Sequence, residues 1–110
     1  MGYPYARESG YLASLYRQVY VDLSLAVPFA AGGIPTLIGQ LLELAPTSKL
    51  MYASDAFSLP ELYWLGARWG RWGLGVVLED LMQGGFLTEG EAMRVAEQIL
   101  GGNAREVYRL

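Results

Sequence analysis

Histidine is absent from this 110-residue chain, so no imidazole is present to ligate zinc, act as a general base or complete a nucleophilic triad. Cysteine is absent as well, which excludes disulfides and every zinc–thiolate site and leaves the redox compartment open. Lys49 is the single lysine, and charged residues make up 17%, below the roughly 25% usual in soluble domains. With a net charge of −3 there is no basic stripe to neutralise phosphates or anionic lipid, so nucleic acid is not an expected partner. Long apolar runs are missing too. No charge falls between Asp22 and Glu43, but Pro28, Gly32, Gly33 and Pro35 interrupt that stretch, and a membrane-spanning helix needs ~20 uninterrupted apolar residues. The start, Tyr3-Pro4-Tyr5 and then Arg7 and Glu8, has no basic segment leading into an apolar core, so no signal peptide is expected and a bacterial-type cytoplasmic location is the default. Gly32-Gly33 belongs to no GxxxxGK phosphate loop.

What is present is apolar residue, at 53%, with 14 glycines and 13% aromatics. That content excludes a disordered chain, and the length predicts one unit over residues 1–110. So little charge also implies exposed apolar surface in search of a partner.

Periodicity and breakers divide the chain. Glu8 to Arg17 is predicted as a short helix burying Tyr11, Leu12, Leu15 and Tyr16. Val19 to Leu23 is β-branched and aromatic and reads as a strand with a polar end at Asp22 and Ser24. A loop from Pro28 to Pro35 precedes a helix from about Thr36, with Leu37, Ile38, Leu41, Leu42, Leu44 and Ala45 on its apolar face and Pro46 at its stop. Lys49 to Ser54 is apolar at consecutive positions, as a parallel strand covered on both faces requires, and it runs straight into Asp55.

A long helix is predicted from Pro60, with Leu62, Leu65, Trp69, Trp72 and Val76 on one stripe. Gly66, Gly70, Gly73 and Gly75 weaken it by roughly 1 kcal/mol each relative to alanine, so tertiary packing must hold it, and they admit close approach of another backbone. Gly84 and Gly85 end it. Thr88 and Glu91 form a capping box for a helix turning Ala92, Val95, Ala96 and Ile99 inward, which stops at Gly101 and Gly102. Asn103 is then expected to cap a final turn through Val107. The order helix, strand, helix, strand, helix, helix builds a parallel sheet by right-handed crossovers, an α/β class, and two strands alone leave two sheet edges open.

In such folds ligands gather where strands end. Asp55 stands at one strand end before the Ala56 to Pro60 loop, where a carboxylate is able to ligate a divalent metal or take a proton from metal-bound water. A turn or N-cap role accounts for it equally well. Asp22, near the other strand end, is read as bonding loop backbone, and Glu61 as complementing a helix N-terminus. Trp64, Trp69 and Trp72 are read as packing residues, and Arg68 and Arg71 as reaching solvent or nearby glutamates.

The run SKLMYASDAFSLPELYWLGARWGR from Ser48 to Arg71, with GYPYARESGYLASLYRQVYVDLSLAVPF from Gly2 to Phe29 and ILGGNAREVYRL from Ile99 to Leu110, resembles the amidohydrolase-related (amidohydrolase 2 type) metal-dependent hydrolases. The branch it looks most like is also fused to glutamine synthetase-like domains in nodulin-type proteins. The resemblance implies a partial (β/α)8 TIM barrel, only the last third: the sixth strand ends near Tyr3, the seventh is Val19 to Leu23 and the eighth Lys49 to Ser54. It also implies a divalent, zinc-type metal in the complete family, with Asp55 as the last-strand aspartate that binds the metal and positions or deprotonates the attacking water. The family's histidine before the Tyr-Pro motif falls about where Met1 stands, and its first-strand histidine pair has no counterpart. One carboxylate does not hold a catalytic zinc, which takes three protein ligands. The expectation is a hydrolase-family C-terminal fragment without turnover of its own, completed by the missing barrel portion or associating as a homo-oligomer. The alternative is a non-catalytic module for self-association or partner docking.

Overall fold

The computed structural model describes residues 2–24 and 26–110, so the position of Met1 lies outside the described residues. Helix α1 (Ala6–Leu15) leads to strand β1 (Val21–Asp22), short helix α2 (Ala26–Phe29) and helix α3 (Ile34–Leu42). Strand β2 (Leu50–Met51) follows, then the long α4 (Pro60–Gln83), α5 (Glu89–Glu97) and α6 (Asn103–Tyr108). β1 and β2 pair in parallel, Val21 beside Leu50 and Asp22 beside Met51, with α2 and α3 forming the crossover between them. The predicted order holds, and the ladder is shorter than the predicted runs at both strands.

The core gathers where α3 meets the sheet and α4. Ile34, Leu37, Ile38 and Leu41 of α3 are buried with Val21, Leu23, Leu50, Leu74, Leu78, Val95 and Ile99. Of the six residues expected on this apolar face, Leu37, Ile38, Leu41 and Ala45 are buried, Leu42 lies half-buried, and Leu44, past the end of α3, is exposed. Burial of a large aliphatic side chain is worth about 1.5–3 kcal/mol, so the four buried α3 residues contribute substantially to the core.

α1 corrects one expectation. Its buried residues are Ala6, Gly10 and Ala13, whereas Tyr11, Leu12, Leu15 and Tyr16 are about half exposed. The helix lies too near α3 for large side chains: a Cβ on Gly10 would come within 2.9 Å of the Leu41 carbonyl oxygen. Lys49 secures the helix end by donating from Nζ to the carbonyls of Ala13 and Tyr16, both at 2.7 Å. A cation suits the negative end of a helix dipole, so the chain's single lysine serves α1 and precedes the strand it was expected to begin.

α4 is corrected in the same way. Its buried line runs through Gly66, Gly70, Gly73, Leu74, Val77 and Leu78, rotated about one residue from the expected stripe, on which Trp72 is exposed. The glycines are where the helix meets other elements, as their spacing implied: a Cβ on Gly66 would stand 2.6 Å from that of Ser54, and those on Gly70 and Gly73 would enter Tyr52 and Ile34. Tyr52 also donates its hydroxyl to the Gly66 carbonyl, and burial holds its pKa above the usual value, so the phenol stays a neutral donor. At the other end Gly85 is left-handed at φ 76°, with Gly85 N–H bonding Met82 O and Phe86 N–H bonding Leu81 O, a Schellman stop.

The capping box at α5 is present in full: Glu91 N–H donates to Thr88 Oγ1, and Thr88 N–H donates to the Glu91 carboxylate at 2.8 Å. Thr88→Ala is expected to destabilise by about 1 kcal/mol, read by thermal melting. Two carboxyls titrate below the usual 4.5, Glu43 through its hydrogen bonds from Arg7 and Glu91 through the Thr88 backbone N–H. A carboxyl whose folded pKa is depressed contributes stability above its unfolded pKa and loses it as pH falls through the folded one. The melting midpoint should therefore be level above about pH 5 and decline below the ordinary carboxylate range. Thr88→Ala keeps the backbone N–H but removes the hydroxyl that also bonds the Glu91 carboxylate, so it should flatten that decline only in part, and added salt should flatten the part due to the exposed Arg7–Glu43 pair.

Asn103 is not a cap. Gly102 holds the position before α6, and Asn103 is buried, its amide donating to the carbonyls of Thr47 at 2.7 Å and Leu50 at 2.8 Å. Tyr52 N–H likewise donates to Ile99 O at 3.0 Å. The C-terminal segment thus takes up polar groups along β2 that an open edge would leave to water, which corrects the expectation of two open edges on the β2 side.

Candidate functional site

The two strands end side by side, and backbone of unusual hand follows each. Ser24 after β1 has φ 32°, while Asp55 and Ser58 after β2 have φ 52° and 58°. Left-handed conformation in a residue other than glycine is sparsely populated and gathers at functional loops. Asp22 accepts the Ser24 hydroxyl on Oδ1, a bond local to its turn.

Asp55 is exposed and lines a cavity of about 550 Å³ with Pro28, Phe29, Phe57, Ser58, Leu59 and Leu62. The elements explain that setting. β2 and its extension through Ser54 bring Asp55 to the sheet's end, α2 supplies Pro28 and Phe29 from beyond β1, and the start of α4 supplies Leu62. The helix cap of α4 is Leu59, followed by Pro60 at the first helical position, so Asp55 does not cap that helix. Of its two structural readings, the turn role alone stays open beside the functional one. Glu61 is exposed in the first turn of α4, as expected, where the helix dipole favours a carboxylate.

Arg68 stacks over Trp64 with its guanidinium carbon 5.5 Å from the ring centroid, instead of pairing with a glutamate. It also borders a cavity of about 540 Å³ with Ala31, Gly32, Trp69 and Trp72. Arg71 donates to the Ala67 carbonyl of its own helix at 3.5 Å. Missing from the sequence reading were Phe29, Phe57 and Ser58. A Phe-Ser-Leu-Pro run between a strand and a proline-started helix was the one signal for Phe57 and Ser58, and Phe29 had none.

Among the described residues, no group of three or more His, Cys, Asp or Glu side chains is placed to hold a metal ion. Asp55 offers one carboxylate where a catalytic zinc takes three protein ligands, so the residues present do not fit a complete metal centre. Among the described residues, no helix is long and apolar enough to cross a membrane.

The amidohydrolase family profile matches residues 1–110, the full sequence. The chain belongs to the amidohydrolase family. The protein fluG of Emericella nidulans is 37% identical over 109 residues, 98% of this chain and 13% of the fungal protein. A crystal structure from Lactobacillus casei ATCC 334, assigned as a metal-dependent hydrolase, superposes with a TM-score of 0.90 at 32% identity over 97% of this chain. It is matched over 28% of its own length, so the helix-rich fold with its small parallel sheet corresponds to a fragment of an amidohydrolase fold.

Proposed function

We propose that this amidohydrolase-family chain is the C-terminal portion of a (β/α)8 barrel, contributing Asp55 from the last barrel strand to a divalent, zinc-type metal site that other sequence completes. The observation that carries this reading is Asp55 itself, left-handed in the loop after β2 and lining a cavity, in a chain matched throughout to the family yet spanning 28% of a solved relative. The parallel β1–β2 pair with its helical crossover supports it, being the repeating unit of such barrels. Hydrolysis by the chain alone is not expected, because a single carboxylate leaves the metal without its other ligands. A cytoplasmic setting and kinship with the branch fused to glutamine synthetase-like domains are part of the same proposal.

The purified chain, dialysed against zinc and then against buffer, should retain far less than one equivalent of metal and release no product from amide or ester substrates. One equivalent of zinc that is lost in Asp55→Ala, accompanied by turnover, would overturn the claim of incompleteness.

A second reading, a non-catalytic self-association or docking module, is favoured by the outward apolar face of α1, where Tyr11, Leu12, Leu15 and Tyr16 lie about half exposed. It expects association that grows with concentration in sedimentation runs and weakens in Leu12→Glu/Leu15→Glu. A monomer at every concentration sinks it.

A further inference from the structure

The loop that carries Asp55 is fixed from one side by a residue the functional reading has not used. Ser54 Oγ accepts the Ala56 N–H at 3.2 Å, closing a small turn around Asp55. Asp55 holds φ 52° inside that turn, a conformation unfavourable for any L-residue, although aspartate tolerates it better than most. Ser54 is in turn held by α4: Gly66 leaves so little room that an added Cβ would lie 2.6 Å from the Ser54 Cβ. Two residues back, Tyr52 faces Gly70 and donates its hydroxyl to the Gly66 carbonyl, so the segment after β2 and the helix are bound together at this level. Tyr52 and Ser54 thus both face α4.

The geometry points to Ser54 as a positioning residue, whose hydroxyl holds Asp55 left-handed and presents its carboxylate to the cavity shared with Phe29 and Phe57. This rests on the reading of Asp55 as the working carboxylate, but its test contains neither metal nor substrate. Loss of the Asp55 reading would therefore leave the Ser54 result legible, and failure of the Ser54 result would leave the metal assay above untouched.

The test is the intraresidue amide-to-Hα NOE of Asp55 in isotope-labelled chain, since positive φ brings those two protons close. In Ser54→Ala the NOE should fall about threefold as Asp55 relaxes to negative φ, whereas in Ser54→Thr, which keeps the hydroxyl, it should stay as in the unaltered chain. A full-strength NOE in Ser54→Ala overturns the proposal, and so does an equal loss in Ser54→Thr. Hydrogen exchange in the unaltered chain decides the matter if the alanine variant does not fold: the Ala56 amide should exchange at least tenfold more slowly than in an unstructured peptide, and exchange at the free rate overturns the bond on which the inference stands.

Discussion

Asn103→Ala is expected to lower stability by about 2–4 kcal/mol, among the largest losses any single truncation in this chain should produce. Asn103 is 3% exposed, and its amide nitrogen serves two carbonyls, Thr47 O and Leu50 O, which lie 56 and 53 residues earlier in the sequence. Alanine removes both donors at once and takes this partner from the carbonyl of fully buried Leu50 and from that of partly buried Thr47. A buried acceptor without a partner costs about 1–3 kcal/mol, and the vacated volume adds to that. For a domain of this size the melting midpoint should fall on the order of 10 °C. Asn103→Asp should be worse in the same assay at neutral pH, because it sets a carboxylate against two carbonyl oxygens. A midpoint unchanged in Asn103→Ala would mean that α6 does not anchor the start of β2. The loss should also appear locally: the Tyr52 amide, bonded to Ile99 O in the neighbouring turn, should lose protection from hydrogen exchange.

The Asn103 result shows where the sequence was legible and where it was not. Local chemistry read well: the Thr88–Glu91 box, the Gly84–Gly85 stop and the proline start of α4 each depend on residues a few positions apart, and each stands where its spacing put it. Long-range bonds did not read. Nothing near Asn103 announces partners more than fifty residues away, so the local rule, that asparagine after glycines caps a helix, gave the wrong role. The faces of α1 and α4 failed for a related reason. Hydrophobic periodicity assigns the larger apolar residues to the core, but both helices approach their neighbours through glycine and alanine, which carry little hydrophobic signal and allow close contact. At the candidate site, the place of Asp55 just beyond β2 was legible, because the apolar run breaks off there. The cavity walls Phe29 and Phe57 were not, since only folding brings the loop after β1 beside the loop after β2.

The glycines of α4 give the second large effect, with a sign that differs along one helix. Intrinsic propensity favours alanine over glycine by about 1 kcal/mol at any interior position, so propensity alone predicts that every such replacement stabilises. At Gly75, exposed and with nothing within 4 Å of an added Cβ, that prediction should hold, and Gly75→Ala should stabilise by about 0.5–1 kcal/mol. At Gly70 an added Cβ would enter the Tyr52 ring, which its hydroxyl bond to the Gly66 carbonyl keeps from swinging aside. Overpacking of this kind costs about 1–3 kcal/mol and outweighs the gain in helix propensity, so Gly70→Ala should be destabilising by denaturant unfolding while Gly75→Ala moves the other way. The clash predicts its own remedy. In a Tyr52→Ala background the ring is gone, and Gly70→Ala should then be neutral or stabilising, a coupling of about 1–3 kcal/mol between the two sites. Additive effects in that cycle would show that α4 does not rest on Tyr52 at this point, and the close approach of helix and strand that sets the level of Ser54 and Asp55 would have to be held by other contacts.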